Sequence, residues 1–455
     1  MRFSAKALTL TMALLAAPVG ADDKALTCGV NGPKMADGER LVAPKGSHIF
    51  NWLAHGVFRH RPEDRLRDGY VISLEKFYRK DVGTPENHHR AYLRSHASLG
   101  LGPQDKPGDP ERRDVWVERA FDDKKPLMVT HITRFVDGQS CGLMNMYDGS
   151  RLPMCNDGVR PEKTYANGMQ ALEGQFVDAL RASIDSGRYT HVFFMAMGWN
   201  NDQRVSVCRY REITEQVVAA AAREGETIRP LIVGMTWPSS WNAASTNKIG
   251  FALGHIGSIF NKATDSDEAG LLYGNLILNR LSPQANRKGL PVVMMGHSLG
   301  TRLGGMALFQ RDLLAQGPIG PPPDLAVFLQ PAHSVFRYTP DAPGLEGHPF
   351  SGVRDLPTRV VITSSEKDTA NPFAVWTLYL GGRHGMARAW SYPGSYHRLP
   401  VTFTGPEDAP RLGPLKTVVN RVNLVDATAF IERHSDILDA QIGTLIARLL
   451  LQHAR

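Results

Sequence analysis

The sequence predicts an α/β fold with a mostly parallel central sheet and helices on both faces. Two observations carry this. From about Thr164 onward, short apolar runs alternate with longer stretches of helical spacing, the pattern of strands that return through crossover helices. One run, Pro291-Val292-Val293-Met294-Met295, passes directly into Gly296-His297-Ser298-Leu299-Gly300 and then into a helix-like stretch from Thr301 to Leu308. That pentapeptide fits G-x-S-x-G, in which a serine on a strained strand-to-helix turn projects its hydroxyl from the end of a sheet.

The chain opens with Met1-Arg2-Phe3-Ser4-Ala5-Lys6, an apolar stretch from Ala7 to Leu15, and small residues at Val19 and Ala21 before Asp22-Asp23. A basic start, a short apolar core and small residues at the expected cut predict a signal peptide over 1–21, too short in its core to span a bilayer. The expected location is periplasmic or secreted, with no transmembrane segment once the signal is removed. Residues 22–163 are rich in Gly, Pro, Arg and His, with only short apolar stretches such as Leu127 to Phe135. They predict an irregular N-terminal extension whose role the sequence does not give. Its His88, His89 and His96 have no carboxylate or cysteine partner at ligand spacing, so they read as surface residues and no metal site is expected. Four cysteines, Cys28, Cys141, Cys155 and Cys208, favour disulfides in an exported chain. Cys141 and Cys155 flank a polar, hairpin-like segment and are the expected pair, which would leave Cys28 with Cys208; sequence alone allows three pairings.

The remaining residues, 164–455, read as the catalytic domain. Gly168 to Ile184 has helical spacing, His191 to Met197 is a buried strand, Val207 to Arg223 a helix and Ile228 to Thr236 a strand. A helical region from Gly250 to Leu281 precedes the elbow strand. Leu325 to Leu329, Arg359 to Thr363 and Val418 to Leu424 are further strands, and Ile437 to Leu451 is an amphipathic terminal helix. Between the last two strands, Asn371 to Leu399 is crowded with Phe373, Trp376, Tyr379, Trp390, Tyr392 and Tyr396, which suggests a lid or substrate wall over 371–399. The net charge is +7, with Lys and Arg dispersed and nowhere interleaved with aromatics, a pattern that argues against a nucleic-acid partner.

A serine nucleophile needs a base to take its proton, an acid to hold that base, and N–H donors for the oxyanion. With G-x-S-x-G these arrive in the order Ser, Asp, His. Asp368 lies in the loop after Arg359 to Thr363, with Glu366 as runner-up; His434 lies in the loop after the last strand, with His333 and His397 as competitors. Leu299 N–H is one expected oxyanion donor. The other is Trp199 N–H, in the turn Gly198-Trp199-Asn200-Asn201 at the end of a central strand. Gly198, Asn200, His297 and Trp376 are expected at the substrate.

The elbow, that turn, Thr236-Trp237-Pro238-Ser239, Asp368 and the segment from Asp426 to Ser435 together resemble a branch of bacterial α/β-hydrolases of largely unassigned substrate, secreted and esterase- or lipase-like. The resemblance covers about Thr164 to the C-terminus. One departure is Met197, where that family carries histidine. The resemblance implies an α/β-hydrolase fold and a serine esterase with Ser298, Asp368 and His434 as triad, acting on a small-molecule or lipid-like ester; that chemistry requires no metal or organic cofactor. An amidase or peptidase on the same fold, and a catalytically silent fold used for binding, are the alternatives.

Overall fold

The structure, a computed structural model, describes Cys28 and residues 41–42, 54–55, 65–76, 127–146, 152–160, 165–199, 201–239, 262–312, 319–340, 342, 346–368 and 378–452. The expected signal segment, His88, His89, His96, Asn200 and Trp376 lie outside the described residues.

An eleven-stranded sheet organises the chain. Its strands, numbered in chain order, are β1 (Gly69–Lys76), β2 (Leu127–Val136), β3 (Gln139–Asn145), β4 (Met154–Val159), β5 (His191–Ala196), β6 (Pro230–Thr236), β7 (Val292–His297), β8 (Leu325–Leu329), β9 (Arg359–Ser364), β10 (Tyr396–Arg398) and β11 (Val422–Asp426). Across the sheet they run β10-β11-β9-β8-β7-β5-β6-β1-β2-β3-β4. Every neighbouring pair from β10 to β1 is parallel, and β2 is antiparallel to both β1 and β3. This is the α/β-hydrolase arrangement expected from the motif.

Both faces are covered. Val192, Phe194, Val292 and Met294 face a core layer shared with the helical stretches 165–185 and 262–287 and with α5 below. Phe193, Met195, Val293 and Met295 face the opposite layer. Burial on both sides is why these strands read as continuous apolar runs rather than alternating ones. The helices are α1 (Tyr165–Ala171), α2 (Val177–Asp185), α3 (Gln203–Arg223), α4 (Asn275–Arg287), α5 (Gly300–Phe309), α6 (Arg383–Ala389) and α7 (Ala440–Leu451). Helix α3 begins four residues before the expected start. Asp202 caps it by accepting the Val205 N–H at 2.9 Å, and its polar first turn is buried, so no amphipathic signal marks the beginning.

The described part of the N-terminal region is not separate from the sheet: β1 pairs with β6, and β2, β3 and β4 extend that edge. The sheet therefore runs across the expected boundary at residue 164. Cys141–Cys155 ties β3 to β4, and Cys28–Cys208 ties the N-terminal segment to α3. From Leu378 onward the aromatic segment is built into the molecule: Leu380, Met386, Ala389 and Tyr396 are core residues, and β10 is the last strand of the sheet.

Candidate active site

The sheet order reverses at β5, which has β6 on one side and β7 on the other. Loops leaving the carboxyl ends of such strands diverge, and the crevice between them is where open α/β sheets bind ligands. The Gly198 turn leaves β5 and the Ser298 elbow leaves β7, so both lie at this point.

Ser298 has φ 56°, a left-handed conformation that a residue with a Cβ adopts only when its surroundings enforce it. The Leu329 carbonyl accepts the Ser298 N–H at 3.1 Å, and the Ser298 carbonyl accepts N–H groups from Thr301 at 3.1 Å and Ala332 at 3.2 Å. Thr301 Oγ1 also donates to that carbonyl at 2.6 Å. Two glycines leave room for the elbow. A Cβ on Gly300 would strike the Ala196 carbonyl, and one on Gly198 would strike Ser298 Cβ and come within 2.9 Å of Ser298 Oγ.

The loops that carry Asp368 and His434 are fastened to each other before any side chain of the pair is considered. Ser365 Oγ donates to the Ile431 carbonyl at 2.6 Å, and the Glu366 N–H donates to Thr428 Oγ1 at 3.0 Å. Asp436 accepts the Arg433 N–H at 2.7 Å and closes the turn that carries His434. In this setting His434 Nδ1 lies 2.7 Å from Asp368 Oδ2. A carboxylate only accepts, so Nδ1 carries the proton and the neutral ring keeps its lone pair on Nε2. Glu366, the runner-up, is exposed, with Arg383 4.0 Å from its carboxylate. Among the described residues Ser298 Oγ makes no hydrogen bond, a looseness common in catalytic sites without substrate.

His297 is buried, and its Nε2–H donates to the His434 carbonyl at 2.8 Å while the two rings stand 4.8 Å apart. This places it behind His434 and away from open space. Burial, then the nearby His434 and Arg209, hold its pKa well below the usual imidazole range, against the pull of that carbonyl. It stays neutral beside His434. The competitor His333 is also buried, with Nδ1 3.0 Å from Thr301 Oγ1 on the inner side of the elbow. His397 bonds the Lys416 carbonyl at 3.1 Å from the edge strand β10.

The turn after β5 is held by side chains to which the sequence gives no role, from the turn itself and from Thr236-Trp237-Pro238-Ser239. Asn201 Nδ2 donates to the Gly198 carbonyl at 2.9 Å and the Trp199 carbonyl at 3.0 Å, Trp237 Nε1 donates to the Met197 carbonyl at 2.7 Å, and Ser239 Oγ donates to the Asn201 carbonyl. In a trans peptide the N–H points opposite to the carbonyl. Fixing the Gly198 carbonyl therefore directs the Trp199 N–H away from Asn201. Leu299 stands at the N-terminal end of α5, where helix N–H groups gather partial positive charge. Met197 is fully buried in the core, and the carbonyl of this residue, not its side chain, serves the turn.

Gln330 is the residue that sequence reasoning missed most completely. Its Nε2 donates to Asp368 Oδ2 at 3.1 Å, yet a glutamine after a strand carries no motif.

No family model matches the chain, and no curated protein matches it. Among solved structures, TT1662 from Thermus thermophilus aligns over 59% of this chain and 90% of its own at 12% identity, with a TM-score of 0.29. Phospholipase PlaB from Legionella pneumophila, solved in complex with thio-NAD, aligns over 57% of this chain and 58% of its own at 10% identity, also with a TM-score of 0.29. The fold of this chain rests on its strand order and switch point, and these likenesses stand beside that as distant similarities.

Proposed function

We propose that the chain is an exported serine hydrolase that cleaves carboxylic esters, with Ser298 as nucleophile, His434 as base and Asp368 as the acid that orients it. One observation carries the reading: His434, hydrogen-bonded to Asp368 at 2.7 Å, is joined through its carbonyl to His297, the residue before a serine held at φ 56°. His434 Nε2 takes the Ser298 proton as Oγ attacks the ester carbonyl. The oxyanion is held by the Leu299 and Trp199 N–H groups. Collapse breaks the ester C–O bond, and the leaving alkoxide takes the proton from His434. Water then repeats the sequence on the acyl-enzyme and releases the acid. Every group needed is a side chain or a backbone N–H. Two disulfides fit an oxidising compartment, and among the described residues no helix is long and apolar enough to cross a membrane.

The test is hydrolysis of p-nitrophenyl esters and matched anilides by wild type and Ser298→Ala. Ester turnover that falls about 10⁴-fold or more in the variant is the expected result, because losing the nucleophile costs nearly as much as losing the whole triad. Substantial residual turnover removes Ser298 from its role, and anilides cleaved as well as esters would make the enzyme an amidase. No turnover by folded wild type would favour a binding role.

A further inference from the structure

Gln330 stands between the nucleophile and the acid. Leu329, the last residue of β8, pairs with His297 on one side and Thr363 on the other. The chain leaving β8 therefore passes between the elbow and the acid loop. Its main chain clasps Ser298 from both sides, through the Leu329 carbonyl and the Ala332 N–H. Gln330 itself turns to φ 43°, a left-handed conformation that glutamine seldom adopts and that persists only where its surroundings fix it. Its N–H leaves the ladder and donates to Thr363 Oγ1 at 3.1 Å. The side chain, fully buried, gives one Nε2–H to Asp368 Oδ2 at 3.1 Å and the other to the Gly381 carbonyl at 3.0 Å. Both partners can only accept, so the nitrogen and not the oxygen of the amide faces them.

Asp368 Oδ2 is also the oxygen that takes the His434 Nδ1–H. We infer that Gln330 is a positioning residue of the triad, which holds the Asp368 carboxylate in the rotation that receives His434 and couples that rotation to the strand end gripping Ser298. The inference rests on the serine-hydrolase reading above. A carboxylate pinned by one N–H cannot swing away when the imidazolium forms, so the base keeps its tautomer through the reaction. The backbone strain has the same purpose. With Gln330 in extended conformation, the chain would continue the ladder and the amide would not turn toward Asp368.

Two variants test it. Gln330→Met fills the same volume and cannot donate. Gln330→Asn keeps the amide and tolerates the left-handed backbone better, but is one methylene short of Asp368. Both are expected to lower kcat about tenfold on an ester with KM within about twofold, the signature of an interaction that matters in the transition state, and Gln330→Asn is expected to retain the wild-type Tm. Removing the N–H leaves Oδ2 more basic, which strengthens its hold on the imidazolium, so the acid limb of the kcat/KM profile should move to higher pH. In an Asp368→Asn background Gln330→Met should cost nothing further. A folded Gln330→Asn enzyme with full kcat and an unmoved acid limb overturns the inference, as does an undiminished loss in the Asp368→Asn background. Both leave the hydrolase reading intact. A wild type that turns over no ester and takes no fluorophosphonate overturns that reading and this inference together.

Discussion

Ser298 owes its position to its neighbours' main chain and to small residues around it. Leu329, Ala332 and Thr301 hold its peptide groups, and Gly198 and Gly300 keep empty the space that a Cβ would take. Gly198→Ala is the sharpest single check of that geometry, because the added methyl would meet Ser298 Cβ and stand 2.9 Å from Oγ. A displacement of about 1 Å at the reacting atoms costs on the order of 10²-fold. The variant should therefore fold with a near-native Tm and lose about that much kcat/KM; an active Gly198→Ala enzyme would mean that the turn after β5 does not face the serine. At this scale the sequence was readable where a residue type is tied to an order along the chain. Ser298, Asp368 and His434 were chosen in that way, and His434 and Asp368 do stand within hydrogen-bond distance. Gln330 was not, because its role depends on a backbone turn that no glutamine announces, and Asn201 stood in the Gly198 turn without a role assigned to it. His297 was expected at the substrate, and its ring instead backs His434; the sequence places it next to the serine but does not say which way a strand-end side chain points.

The elbow helix α5 is anchored to its neighbours by charge as well as by packing. Arg302, on its first turn, donates to Asp267 Oδ1 at 3.2 Å and Oδ2 at 2.5 Å and to Glu346 at 2.6 Å; Arg337 donates to Asp267 Oδ1 at 3.0 Å and Oδ2 at 2.7 Å and to Glu346 at 2.7 Å. Two buried guanidiniums and two carboxylates thus join α5 to the helix at 262–269 and to the chain after β8. Burial alone would raise the Glu346 pKa, and Arg302 and Arg337 overcome it to hold the carboxyl well below its usual range. Glu346→Gln leaves both guanidiniums short of charge in a dry site, and the expected loss is about 3 kcal/mol of unfolding free energy by urea titration. A loss below about 0.5 kcal/mol would show that the cluster is solvated. Elements with a plain apolar pattern, such as β5, β7 and β8, lie within a residue or two of their expected bounds. The N-terminal strands were harder to see, since β1 and β2 are short apolar runs separated by long polar stretches and become strands only by pairing with β6 and with each other.

At the scale of the whole molecule, three imidazoles among the described residues are kept neutral by burial. The pKa values of His297 and His333 lie well below the usual range, and that of His191 is lowered to about 4. Unfolding lets each take a proton below about pH 6.5. Their contribution to stability is therefore intact above that pH and is lost on acidification, by up to about 1.4 kcal/mol per pH unit for each histidine. Glu346 acts in a lower window, since its depressed pKa stabilises the fold above about pH 4.3 and that stability is lost below it. Tm should thus hold steady from pH 8 to 6.5 and fall from there to pH 4; a flat Tm between pH 7 and 5 would contradict the burial of these rings. The compartment reading belongs to this scale too. The sequence allowed three cysteine pairings, and the two observed, Cys28–Cys208 and Cys141–Cys155, are those expected from the hairpin-like segment. One of them secures the N-terminal segment to the helix that leaves the Gly198 turn.

The most direct measurement of the central claim is fluorophosphonate labelling of wild type, Ser298→Ala and His434→Ala, with the adduct located by mass spectrometry. The expected result is one adduct on Ser298 in wild type, none in Ser298→Ala and a strongly slowed reaction in His434→Ala. A folded wild type that takes no label, or takes it on another residue, would contradict the assignment of this site as a serine hydrolase.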